Sequence, residues 1–274
     1  NSKQIGIYNS KRDFYFNKAK LKTQGSRNFY YGSDGKIEES LSILENKLSN
    51  IIKNIIRTRT TPKKGTKEHF NLLVFACLTE LRNPVRIENL SKMWELMKER
   101  LNELDPTVSS RLKIPDFTHE EAVEVSLTNA VEMAGMIVDL DFKLFINNTS
   151  TPFISSDFPV VKYNQFLELN KWPHSKTGFA SVGLQILIPL NSEILLLFYD
   201  PDIYKVGYKK HKTLNLLNKS NIDSINILQF INCLNIIYFD EKASENYIRK
   251  IHQNSKKFIK ANLAKVEAKY LITK

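Results

Sequence analysis

The sequence predicts an α+β fold, with a helical N-terminal half over about residues 36–138 and a mostly antiparallel sheet with C-terminal helices over about 139–274, in one domain. Two observations carry this expectation. Apolar residues recur every three or four positions through the first half, which is the period of a helix with one buried face. From Phe142 they fall instead into short runs bounded by Pro, Asn, Ser and Gly, the pattern of strands. A chain of 274 residues can share one core, because cores stop growing efficiently only near about 250–300 residues.

The opening stretch interleaves Phe14, Tyr15, Phe16, Phe29, Tyr30 and Tyr31 with Lys11, Arg12, Lys18, Lys20, Lys22 and Arg27. Such a mixture could stack bases while neutralising phosphates, or could equally be strands and loops covering a core. After the turn cluster GSDG, the segment KIEESLSILENKLSNIIKNIIR places Ile37, Leu41, Leu44, Leu48, Ile51, Ile52 and Ile55 on one helical face. A basic loop, RTRTTPKKGTK, leads to KEHFNLLVFACLTELR, a mostly buried helix that Pro84 ends or kinks. IENLSKMWELMKERLNEL is the next helix, followed by a polar connection through Asp105, Pro106 and Pro115. Thr118, three residues before Glu121, forms the pattern of a capping box that opens HEEAVEVSLTNAVEMAGMIVDL.

In the second half, FKLFIN, FIS and VVKY read as short strands around TPFISSDFPVV, Thr151 to Val161. GLQILIPLNSEILLLFYD supplies two apolar strands joined at Pro189–Ser192 as an antiparallel hairpin. SNIDSINILQFINCL reads as a helix, NIIYFD as a strand and EKASENYIRKIHQNSKKFIKANL as a terminal helix.

Apolar residues make up 42% and charged residues 25%, the composition of an ordinary folded protein. The apolar runs are too short or too interrupted for the about 20 residues that cross a bilayer. The first residues lack the basic start, apolar stretch and cleavage site of a secretion signal. Cys77 and Cys233 lie far apart in apolar stretches, as free thiols do in a reducing compartment. A cytoplasmic location is therefore expected. The five histidines are scattered singly, with no HxxxH or HExxH pair, which argues against a histidine-rich metal site. GxSxG, GxGxxG and GxxxxGK[ST] are all missing, so neither serine nucleophile chemistry nor a phosphate-cradling loop is indicated.

The net charge of +11 would concentrate polyanions, chiefly nucleic acid or anionic lipid heads, around the protein. From Arg249 to Lys274 the chain carries Arg249 and seven lysines against Glu267. Lys256, Lys257 and Lys260 are the expected docking residues there, for nucleic acid or for a protein partner. An AT-rich bacterial genome also yields chains rich in Lys, Asn and Ile, so a soluble basic surface accounts for the same counts.

The order of NFYYGSDGKIE, ELRNP, FISSDFPVV and ILIPLNSEILLLF resembles a widespread microbial family of unknown function. Its members carry a His-Tyr-Val-Pro segment near the start and a Ser-Asp-Asn-Pro segment after the helical half. The resemblance runs from near the beginning of the chain to about Ile237. It marks Asn28, Phe29, Tyr30, Glu38, Glu45, Arg82, Pro84, Ser156, Asp157, Pro159, Pro189 and Leu190. Two departures stand out: Phe158 takes the place of the family's Asn, and the His-Tyr-Val-Pro segment has no counterpart in this sequence.

Polar residues beside apolar runs must be paired when buried, and Arg82 with Asp157 is the obvious pair. In the functional reading, Asp157, Glu45 and Arg82 are catalytic, with Glu38 as an alternative second carboxylate. Asp157 and Glu45 would hold Mg²⁺ or Mn²⁺, and Ser156, Asn28 and Arg27 would bind substrate. The expected reaction is hydrolysis of a phosphodiester in nucleic acid or of a small phosphorylated molecule, in a defence or toxin setting. No DxnExK spacing accompanies these residues. In the structural reading, Ser156 and Asp157 bond backbone groups of a turn, Arg82 ties the helical half to the sheet, and the protein is a binding module.

Overall fold

A hairpin precedes the helical half. β1 (Gln4–Asn9) and β2 (Phe14–Lys20) pair antiparallel, with Asp13 in the left-handed region, φ 51°, at the turn between them. The computed structural model describes residues 4–24, 36–104, 107 and 118–258, except for the side chains of residues 36–38, 40 and 104. Arg27, Asn28, Phe29, Tyr30 and Lys260 lie outside the described residues, and so does the side chain of Glu38.

The long helices are α1 (Lys36–Thr58), α2 (Lys67–Leu81), α3 (Pro84–Leu104) and α4 (His119–Met136). Their ends follow the local chemistry. Thr66 caps α2 by accepting from the His69 N–H, and Pro84 opens α3, where its missing N–H costs nothing. Asn83 caps that start through its Oδ1, which accepts from Val85 N at 3.0 Å. Thr118 and Glu121 form the expected capping box on α4: Glu121 N donates to Thr118 Oγ1 and Thr118 N donates to Glu121 Oε2.

The remaining elements are β3 (Asp141–Asn147), β4 (Ser155–Ser156), β5 (Val161–Tyr163), α5 (Gln165–Leu169), β6 (Gln185–Pro189), β7 (Ile194–Tyr199) and β8 (Thr213–Leu216). They are followed by α6 (Lys219–Asn232), β9 (Ile236–Phe239) and α7 (Glu245–Ser255). The fold is α+β, as expected, but the strands make two sheets. One has the order β2-β1-β9-β4 and the other β5-β6-β7-β3-β8, and the parallel pair among the described strands is β3 with β8. The expected hairpin is β6–β7, its turn set by Asn191 Oδ1 accepting from Glu193 N and Ile194 N.

Alternation along the central strands divides the five-stranded sheet into two buried faces. Phe142, Leu144, Ile146, Leu196 and Phe198 pack against Leu72, Leu73, Ala76 and Cys77 of α2, together with α1 and α4. Leu195, Leu197 and Tyr199 face the other way and meet Ile222 and Ile225 of α6. All six residues of β7 are therefore buried, which explains its uninterrupted ILLLFY. The four-stranded sheet packs Tyr8, Ile237 and Phe239 on Phe230 of α6 and on Ile248 and Ile251 of α7. Helix α6 is thus wedged between the sheets, and the TPFISSDFPVV segment crosses from one sheet to the other along its flank. No described helix is long and apolar enough to cross a membrane.

Candidate functional site

The crossing segment leaves its backbone groups without strand partners on one side, and three amides of α6 supply them. Asn226, Gln229 and Asn232, spaced three apart, lie on one helical face. Asn226 accepts from Ile154 N and donates to the Pro152 carbonyl. Gln229 accepts from Ser156 Oγ at 2.9 Å and donates to the Pro159 carbonyl at 3.0 Å. Asn232 donates to the carbonyls of Phe158 and Val160. All three amides are buried, so each bond satisfies a group that water does not reach. Ser156 Oγ also accepts from Phe158 N at 3.2 Å, so this hydroxyl is engaged on both sides.

Asp157 sits where the segment meets the chain leaving α6. Its Oδ1 accepts from Leu234 N at 2.8 Å, and its Oδ2 accepts from Asn235 N and Ile236 N, both at 2.9 Å. Its own N–H donates to the Ile236 carbonyl. The carboxylate therefore caps the turn that opens β9. Among the described residues no hydrogen bond or ion pair joins Asp157 to Arg82 or Glu45.

Arg82 pairs with Glu45 instead, linking the end of α2 to α1. Both partners are substantially exposed, and ion pairs of that kind contribute about 0–1 kcal/mol. A buried tie between the helical half and the sheet is made by a different carboxylate. Glu80 of α2, only 1% exposed, accepts from Arg86 of α3 at 2.8 Å and from Lys162 of β5 at 2.9 Å. Its second oxygen, Oε2, is buried with no partner among the described residues. Phe158 is fully buried with its ring centroid 5.5 Å from the Arg86 guanidinium carbon. The Cys77 thiol is pushed up to about 12, chiefly by burial, with Lys162 lowering it and Glu80 raising it. No group of three or more His, Cys, Asp or Glu among the described residues is arranged to hold a metal ion.

A second polar region lies at the start of β3. Asp141 forms an ion pair with Lys64 at 2.8 Å, and Lys64 also donates to the Asp139 carbonyl. Burial would raise the Asp141 carboxyl, but the bond to Lys64 and the charges of Lys64, Lys212 and Lys209 hold it below the usual range. Beneath them, Lys143 is 2% exposed and donates to the Tyr208 carbonyl at 2.7 Å. Its ammonium titrates below the ordinary lysine value, first because it is buried and then because Lys212 is near. That bond pins the base of an exposed turn, Tyr208–Lys212. Tyr208 is 77% exposed, its ring set edge-on to His211 at 5.6 Å, with Lys209, Lys210 and Lys212 beside it.

Sequence reading missed this turn, although a signal for it is present: four lysines and a histidine within KVGYKKHK, residues 205–212. Lys256 and Lys257, expected as docking residues, are also exposed, just beyond α7. The aromatic–basic stretch at the start becomes β2, where Phe14 and Phe16 stack on each other, largely exposed, and Tyr15 stacks on Phe239.

Comparison with curated proteins and with solved structures yields no match to either. A family model does match, over residues 1–243, and its span takes in the α6 amides, Asp157, the Glu80 cluster and the lysine turn, ending just before α7. The chain accordingly belongs to the family described as protein of unknown function (DUF4238).

Proposed function

We propose that the protein binds nucleic acid through the Tyr208–Lys212 turn and the lysines around Asp141. The observation that carries this reading is an exposed aromatic ring set among cations. Tyr208 offers a face on which a base can stack, while Lys64, Lys209, Lys210 and Lys212 outnumber Asp141 as partners for phosphate. Lys143 adds a buried charge behind the turn. The reading is of binding without cleavage, because the Asp157 carboxylate is occupied by three backbone donors and Glu45 by Arg82. A cytoplasmic setting belongs to the same proposal, supported by two buried thiols that form no disulfide.

Fluorescence anisotropy with short labelled oligonucleotides tests it. Tyr208→Ala should weaken binding roughly tenfold, from the ~1–3 kcal/mol that a stacked base contributes. Reversing Lys209, Lys210 and Lys212 to Glu should reduce the slope of log affinity against log salt by about 2, at ~0.7 per phosphate contact on a single strand. Unchanged affinity in both variants refutes the proposal. Running the same oligonucleotides with Mg²⁺ or Mn²⁺ on a gel addresses hydrolysis. Cleavage that Asp157→Ala abolishes, with the melting temperature unchanged, would replace binding with a metal-dependent phosphodiesterase.

A further inference from the structure

Between α1 and the loop that follows it lies a groove of about 350 Å³, a size at the small end of ligand sites, which run from about 300 to 1,000 Å³. Ile51, Ile55 and Pro62 give it apolar walls. Its polar residues are Asn50 and Asn54, one helical turn apart on α1, with Thr60 and Thr61 of the loop and Glu68 of α2. Several of these have capacity to spare. Thr61 Oγ1 is shielded from solvent and has no partner among the described residues. Asn54 uses its Oδ1 for Arg57, leaving its NH₂ free to donate.

We infer that this groove receives one unpaired nucleobase of the strand whose phosphates lie along the lysine turn, an inference that rests on the nucleic-acid reading above. Apolar walls suit the faces of a base, and a side-chain amide presents the donor–acceptor pair that matches a base edge. Glu68 decides between base and phosphate. A carboxylate repels a phosphate, but it accepts from the exocyclic amino group of cytosine or adenine. The phosphates have their own track close by, because Lys63 and Lys64 directly follow Pro62 and Lys64 is held on Asp141 beside Lys209 and Lys212. A single strand is therefore the substrate class, since a duplex keeps its bases stacked and paired.

The test compares the affinity of wild type for a base-bearing single strand, an abasic phosphodiester strand of equal length, and a duplex. The base-bearing strand should bind roughly tenfold or more tightly than either, a difference of ~1.4 kcal/mol or more. Asn50→Leu/Asn54→Leu, made in a Tyr208→Ala background so that the base stacked there no longer contributes, should remove most of the remaining advantage while binding the abasic strand as the Tyr208→Ala parent does. Glu68→Gln, at an exposed position, provides a second variant and should reduce preference for cytosine and adenine over thymine. An unchanged advantage in both variants, or a duplex bound as tightly as the single strand, overturns the inference and leaves the lysine-turn proposal standing. Free deoxyadenosine occupying the groove with no gain for the strand also overturns it. Failure of wild type to bind any strand at low salt refutes the proposed function itself, and the inference with it.

Discussion

Replacing Asp157 by alanine separates a structural carboxylate from a catalytic one. The substitution removes the acceptor of three backbone N–H groups, those of Leu234, Asn235 and Ile236, at 2.8–2.9 Å. Hydrogen bonds to a charged group contribute about 1.5–3 kcal/mol each, so three at the low end amount to about 4.5 kcal/mol. Asp157 is half-buried, so water recovers part of this, leaving a loss of about 3 kcal/mol. For a chain of this size, that corresponds to a fall of about 6–12 °C in Tm. Asp157→Asn should lie between, because one side of its amide still accepts while its NH₂ faces a backbone donor whichever way it turns. Urea unfolding of the three proteins, alongside oligonucleotide binding at a temperature where all are folded, gives both readouts. The expected result is lost stability with binding retained. A Tm within about 1 °C of wild type, together with a lost activity, would refute the reasoning, since point effects of that kind come from function rather than packing.

The α6 amides extend the same argument: Asn232→Leu leaves the buried carbonyls of Phe158 and Val160 without donors and should cost about 2 kcal/mol in urea unfolding, at the scale of a buried group left unsatisfied. Burial lowers the His69 pKa below its ordinary 6.5, so the unfolded chain takes up a proton before the folded one as pH falls. Stability should therefore hold steady above that value and decline below it, and His69→Phe, which keeps the stack on Phe142, should remove this component of the decline. Cys77 and Cys233 are buried thiols outside any disulfide, with Cys77 pushed up to about 12, so neither should react with an aromatic disulfide reagent at neutral pH until the chain is unfolded.

The helical half was legible because its signals are local. The apolar spacing of α1, the Thr66 and Thr118 caps and the break at Pro84 each need only a few neighbouring residues. The β6–β7 hairpin was legible for the same reason, since Asn191 supplies its own turn. The division of the strands into two sheets was not, because β1 pairs with β9, a segment at the opposite end of the described chain. Asp157 stood out as an acid beside strands, but its partners are backbone N–H groups, which leave no mark in a sequence. Asn226, Gln229 and Asn232 look like the solvent face of a helix when read by spacing, and it takes the crossing segment to make that face internal. Glu80 and Lys162 were hidden in the same way, because a charge inside an apolar stretch has no readable partner until the layers are stacked.

The small sheet also dictates when the protein can finish folding. Residues 6–9 find their partners at 236–239, and Ser155 and Ser156 find theirs at Tyr238 and Ile237. Contacts this remote carry the full cost of loop closure and form late. On the ribosome, β1 emerges well before β9, so one of its edges waits until the residues between them have been made. During that interval the hairpin presents an open edge and the apolar side of Tyr8, the kind of surface that chaperones recognise. The pairing of β1 with β9 thus makes the arrival of β9, rather than closure of the helical half, the event that commits the molecule to its native state.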